Sequence, residues 1–181
     1  MNYTNILKFS KIIFFTLIVS VVAYGSYKKL KNDPLENRRT TRHEKVEALD
    51  QDKVLKDSIV AYGMKLLGTS YVSGGCSKDG FDCSGFVNFV FQHFDITVPR
   101  SSADFEHFGK EIPIEQVAKG DLLLFLSPTR NVIGHIGIVS KAQGKKSDFI
   151  HASSSREMKV IITNLSNEGY TRRFVKAIRV L

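Results

Sequence analysis

The chain has no tryptophan, only two cysteines and no internal repeat. Without Trp, an interior must be filled by the 13 Phe and 6 Tyr, enough for one domain with a real core. Two cysteines, Cys76 and Cys83, do not make a disulfide framework. They are seven apart in a glycine-rich stretch, so one local bridge is sterically open to them. No further Cys or His stands at structural-zinc spacing from either, and no metal or cofactor is expected. No basic helix carries interleaved aromatics, which sets nucleic acid aside as a partner. No Cys directly follows the N-terminal apolar run, so an acylated start is not supported.

What is present is an ordinary globular composition over 181 residues, 43% hydrophobic and 24% charged. The net charge is +8, and residues 1–25 contribute only Lys8 and Lys11 to it. The basic excess therefore belongs to the rest of the chain, favouring anionic surfaces such as a wall polymer or a membrane. Lys8 and Lys11 precede the apolar run Ile12–Tyr24, broken only by Thr16 and Ser20. That run is shorter than the ~20 residues of a full span, which marks residues 1–27 as a signal peptide or, uncleaved, a membrane anchor. Ala23 and Gly25 offer a cleavage site, whereas Lys28, Lys29 and Lys31 are an awkward flank for export. The expected location is exported: periplasm or cell envelope, with membrane attachment if the segment stays. Residues 28–51 read as a charged linker or frayed helix, and residues 52–181 as the folded domain.

Within that domain Val54, Leu55, Ile59, Tyr62, Leu66 and Leu67 recur at helical spacing, predicting a helix over 53–67 with Gly68 beyond its end. Phe86, Val87, Val90 and Phe91 predict a second helix over 83–94, with Asp82 as N-cap. Short apolar runs at 122–126, 136–139, 149–152, 160–163 and 175–180 read as antiparallel strands. Helices followed by strands imply an α+β domain with N-terminal helices packed on an antiparallel sheet.

Cys83 thus falls at a helix start, where the helix terminus and a neighbouring imidazolium can depress a thiol pKa from ~8.5. Of five histidines, His43 lies in the linker, His93 ends the Cys83 helix and His107 lies in a polar stretch. His135 in GHIGIV and His151 in FIHASS lie on strands, where a ring is rigidly held. The chemistry that follows is a triad. His135 takes the thiol proton, His151 orients His135, and the Cys83 N–H with the Tyr71 hydroxyl meets the oxyanion. Rate should then fall at low pH as His135 becomes cationic. Asp121 in KGDLLLF reads as a turn residue.

The segment YVSGGCSKDGFDCSGFV resembles the catalytic stretch of the NlpC-type cell-wall cysteine peptidases. Tyr71, Gly74-Gly75 and Asp82-Cys83-Ser84-Gly85 match it, followed in order by VPRSS, KGDLLLF, GHIGIV, FIHASSS and a closing TRRFVKAIRVL. The resemblance covers about residues 54–181 and is nearest to single-domain murein endopeptidases of the Spr type. It implies a circularly rearranged papain-like fold, with Cys83, His135 and His151 catalytic and Tyr71 a helper at the oxyanion. It also implies hydrolysis of amide bonds in peptidoglycan stem peptides or cross-links; a monomer is expected. Substrate contacts are expected from Asp82, Ser84, Arg100 and Ser101. Asp82 can instead be only a cap, and Arg100 only an ion-pair partner. Two positions depart from the pattern: Cys76, where Thr or Ser is usual, offers a second thiol, and Ser73 opens the site. An amidase or acyltransferase with the same core is the alternative activity.

Overall fold

The computed structural model describes residue 20 and residues 34–181. The expected targeting segment, residues 1–27, therefore lies outside the described residues except for residue 20. Among the described residues no helix is long and apolar enough to cross a membrane. The chain divides into two compact units, Met1–Gln51 and Asp52–Leu181.

Helix α1 runs over Pro34–Met64, beginning well before the apolar periodicity does. Proline suits the first turn, where its missing N–H costs nothing. The following Glu, Arg and Lys are good helix formers, and no Gly or Pro recurs until Gly63. Residues 41–50 are exposed throughout, so this part of α1 has no apolar face for a periodicity search to find. Much of the expected linker is thus helical. The helix also stops sooner than predicted, at Met64, and Gly68 turns the chain with φ +85°.

A two-stranded hairpin follows, β1 (Cys76–Ser77) with β2 (Gly80–Phe81), paired Cys76↔Phe81 and Ser77↔Gly80. Helix α2 is Cys83–Gln92. Its N-cap is Asp82, whose side chain accepts from the Gly85 N–H at 2.6 Å, so one of the orphan donors at the helix start is satisfied. Phe86, Val87, Val90 and Phe91 are fully buried along one face.

The remainder forms a six-stranded sheet from β3 (Lys110–Ile112), β4 (Leu122–Leu126), β5 (Ile133–Lys141), β6 (Asp148–Ser153), β7 (Lys159–Asn164) and β8 (Phe174–Arg179). Its order is β3-β8-β4-β5-β6-β7, every pair antiparallel. The α+β arrangement read from the sequence is the observed one. Alternation along the strands builds two cores. Leu122, Leu124, Ile136, Ile138 and Ile150 pack with Ile59 of α1 and the α2 phenylalanines. Leu123, Phe125, Val139 and Phe149 form a smaller cluster on the other face, closed by Tyr170, Phe174 and Leu165. Tyr170 belongs to a one-turn helix, α3 (Glu168–Thr171).

The sheet is irregular between β5 and β6. β5 and β6 pair at Ile138↔Ile150 and Val139↔Phe149, but the register does not continue to Ile136 and Gly134. The two strands part there.

Candidate active site

Alternate residues of an antiparallel strand turn their N–H and C=O to opposite sides. Val139 turns toward β4, its N–H donating to the Asp121 carbonyl at 2.8 Å. Ile138, Ile136 and Gly134 therefore turn toward β6, and at the last two no strand partner meets them. The Cys83 sulfur occupies this gap. Its Sγ lies 3.8 Å from the Gly134 carbonyl oxygen, and the Ile136 N–H is directed at it from the same strand edge. The start of α2 and the middle of β5 are thereby joined through one sulfur atom that stands where a ladder partner would.

His135 sits between those two backbone contacts, buried, with its side chain on the sheet face of the smaller core. Its Nε2 is 2.9 Å from Nδ1 of His151, the rings nearly perpendicular at 89°. His151 is fully buried, and its Nε2 lies 2.9 Å from the Thr163 hydroxyl on β7. Among the described residues no hydrogen bond reaches Nδ1 of His135. Gly137 makes this packing feasible. A Cβ there would come within 2.5 Å of the Phe149 ring and 3.1 Å of the His151 Cβ. Tyr170 covers both histidines, its ring centroid 5.8 Å from His135 and 5.1 Å from His151. The Arg173 guanidinium lies 5.0 Å above the Tyr170 ring and is held by the carbonyls of Gly169 and Leu126.

The electrostatics differ from the expectation of a thiol depressed by its helix. Burial pushes the Cys83 thiol up, and the Asp82 carboxylate pushes it the same way. The N–H groups of Ser84, Cys83 and Ile136 favour the thiolate but do not prevail. Burial, then the Arg173 charge, holds His135 down at about 3. His151 is lowered to about 2 by burial, His135 and Arg173. All three groups are neutral at pH 7, so the thiol needs a base at the moment it reacts.

The front of the site is an open groove of about 390 Å³ lined by Tyr71, Ser73, Asp82, Cys83, Ser84, Arg100, Ser101, Ser102 and Asp104. Of the residues expected from the sequence, Tyr71, Asp82, Cys83, Ser84, Arg100 and Ser101 come together here. His135 and His151 stand on β5 and β6 and do not line the groove. Tyr71 lines the groove with Cys83, and its hydroxyl has its pKa raised by burial, by Cys83 and by Asp82. Arg100 spends its guanidinium internally. It donates to both Asp82 oxygens at 2.9 and 2.7 Å, to the Gly74 and Gly75 carbonyls at 2.8 and 3.3 Å and to Ser84 Oγ at 3.2 Å. It thereby staples the double-glycine loop to the α2 N-cap through both terminal nitrogens. A Cβ at Gly85 would collide with the Gly75 carbonyl, so the loop and helix start meet backbone to backbone. Ser84 is buried, while Ser101 is exposed on the groove.

The other histidines stand apart. His43 is exposed on α1, His107 is exposed, and His93 stacks on Tyr62 at 3.8 Å. Cys76 is exposed, Cys83 is partly buried, and both are free thiols. Asp121 holds a turn, accepting from the Ala118 N–H and from Arg179. Among the described residues no cluster of His, Cys, Asp or Glu is arranged to hold a metal. Sequence reasoning missed Thr163, Tyr170 and Arg173. Thr163 reads as an ordinary strand residue and the other two lie in a polar turn, so no local signal marks them.

Comparison with known proteins agrees with this geometry. The chain is 33% identical over 114 residues to a "Probable endopeptidase" of Haemophilus influenzae, covering 62% of this chain and 67% of that protein. It is 35% identical over 115 residues to the "Murein DD-endopeptidase MepS/Murein LD-carboxypeptidase" of Escherichia coli K12, covering 63% and 57%. It is 30% identical over 126 residues to the "Gamma-D-glutamyl-L-lysine dipeptidyl-peptidase" of Bacillus subtilis 168, covering 69% of this chain but 42% of that protein. In the last two the shared region is less than two thirds of the relative's length. An NlpC/P60 family protein of Bacillus cereus superposes with a TM-score of 0.62 at 30% identity, covering 70% of this chain and 40% of that one. The NlpC/p60 domain of the peptidoglycan hydrolase SagA superposes with a TM-score of 0.56 at 30% identity, covering 68% and 97%. The model of the NlpC/P60 family matches residues 68–179, from the turn after α1 to the last strand, and the chain belongs to that family.

Proposed function

We propose that the chain is a cysteine peptidase that hydrolyses amide bonds in peptidoglycan stem peptides or their cross-links. Cys83 is its nucleophile, His135 its base and His151 the group that orients the base. The observation carrying this reading is the seat of the Cys83 sulfur in the open β5–β6 ladder, with His135 Nε2 held by His151 and Nδ1 left for the thiol. In the reaction the Sγ proton passes to Nδ1 as sulfur attacks the carbonyl carbon. The oxyanion is met by the N–H groups at the α2 start and by the Tyr71 hydroxyl. His135 then protonates the leaving amine, and water attacks the acyl-enzyme with His135 again as base.

The substrate class is supported by the names of the similar proteins, a murein endopeptidase and a γ-glutamyl-lysine peptidase. It is also supported by a polar, open groove that suits a peptide. Because both terminal nitrogens of Arg100 already hold Asp82, Ser84 and the double-glycine carbonyls, substrate polar groups are met mainly by Ser73, Ser101 and Asp104 on the open side. Asp82 and Ser84 act as supports of the groove. A wall substrate requires export, consistent with the apolar N-terminal run. Arg38, Arg42 and Lys45, exposed at helical spacing on α1, supply a cationic strip for an anionic wall polymer or membrane.

Digestion of purified peptidoglycan by the full chain, wild type beside Cys83→Ala, with fragments identified by mass spectrometry, tests the reading. New fragments from the wild type alone are expected, with more than about 10³-fold loss in the variant. Equal fragments from both would refute it.

A further inference from the structure

The orienting group in this site is itself a histidine, and that creates a requirement a carboxylate would not. A carboxylate is only an acceptor, so it dictates where the proton on its partner lies. A neutral imidazole has one donor and one acceptor nitrogen and does not determine which is which. If His151 carries its proton on Nδ1, it donates to His135 Nε2. The proton of His135 is then forced onto Nδ1, the nitrogen proposed as the base, and no base is left. If His151 carries its proton on Nε2, its Nδ1 accepts from His135 Nε2–H and Nδ1 of His135 is free. The site works in only one of these two states.

We propose that Thr163 makes the working state available: it is a positioning residue whose hydroxyl supplies the one acceptor that His151 Nε2–H needs in that state. The inference rests on the peptidase reading for its consequence in catalysis, but the tautomers are a property of the free protein. Its geometry is complete on the sheet. Phe149 pairs with Thr163 and His151 with Ile161, so Thr163 lies diagonally across from His151 on the same face, within side-chain reach. The two hydrogen bonds of the relay, His135 to His151 and His151 to Thr163, are each 2.9 Å. β7 is the sheet's edge strand and Thr163 is half-buried. No other described residue bonds to its Oγ1, so its own proton is free to turn to the solvent side while a lone pair faces the ring. The β-branch restricts χ1 on a strand, which holds the oxygen in place. His151 is fully buried, so an Nε2–H without its acceptor would stay unsatisfied, and the other tautomer would become the cheaper one.

The test combines tautomer assignment by ¹⁵N-histidine NMR on the full chain at pH 7 with steady-state kinetics on peptidoglycan fragments. In the wild type both His135 and His151 are expected as Nε2–H tautomers. Thr163→Val, nearly isosteric without the hydroxyl, should bring in Nδ1–H forms and lower kcat about tenfold or more, with KM little changed. Thr163→Ser should restore both the tautomers and kcat. An Nδ1–H form of His135 in the wild type overturns the proposal, and that measurement needs no variant to fold. So does a Val variant with unchanged tautomers, or a folded Ser variant that restores neither quantity. A wild-type chain that leaves peptidoglycan uncut would defeat the peptidase reading alone, because the tautomer spectrum is recorded without substrate.

Discussion

At the scale of residues, the site is built from groups that burial keeps neutral. A histidine held neutral in the folded chain must take up a proton on unfolding below its ordinary pKa of about 6.5. The unfolded state then binds more protons, so stability rises with pH across that window. His135, lowered to about 3, and His151, lowered to about 2, therefore contribute stability that is complete above about pH 6.5. It is lost progressively as pH falls toward their folded values. Urea unfolding of the wild type between pH 7 and pH 4 should show stability dropping by up to about 1.4 kcal/mol per pH unit for each histidine, and His151→Gln should flatten the slope. The same lowering moves the acid limb of kcat/KM far below the 6.5 of an ordinary histidine. The rate should stay level through pH 6 for as long as the protein is folded. A limb centred near 6.5 in both wild type and His151→Gln would contradict the neutral, buried pair.

At the scale of elements, the chain spends its ion pairs on fixing ends. Arg100 pins the double-glycine loop to the cap of α2. At the far side of the sheet Asp121, 1% exposed, takes the Ala118 N–H and both arms of Arg179, tying the turn before β4 to the end of β8. The second arrangement touches nothing in the groove. Asp121→Ala should cost about 2 kcal/mol by removing the acceptor of the Ala118 N–H and of the half-buried Arg179, with kcat unchanged at temperatures where the variant is folded. Thermal melts beside kinetics check this, and a kcat that falls with stability intact would give Asp121 a part in the chemistry. The elements also show why sequence reading succeeded where it did. β4, β6 and α2 announce themselves through apolar runs that end near their observed limits, because the two strands are buried on both faces and α2 along one. The N-terminal half of α1 does not, because a solvated helix carries no apolar stripe. β3 is three residues long, and its pairing with β8 is decided by distant chain rather than by its own composition.

At the scale of the whole molecule, Cys83, His135 and His151 were legible because their motifs fall in register along the chain. What could not be read is the opening between β5 and β6, which depends on where a ladder stops. Thr163, Tyr170 and Arg173 meet the histidines only after the sheet has formed. Everything the site needs lies within Asp52–Leu181. Those residues expressed alone should unfold in one cooperative transition within a few degrees of the full chain, and scanning calorimetry of the two would show it. A broad or strongly lowered transition would mean that the earlier part of α1 supports the domain. The two thiols, finally, differ in standing. Cys83 is partly buried at the floor of the groove, whereas Cys76 is exposed on the hairpin beside Arg100. Electrophiles will find Cys76 first, so a fluorophore placed there under brief labelling would sit at the rim of an unmodified groove. The protein thus carries its own attachment point for watching a substrate arrive.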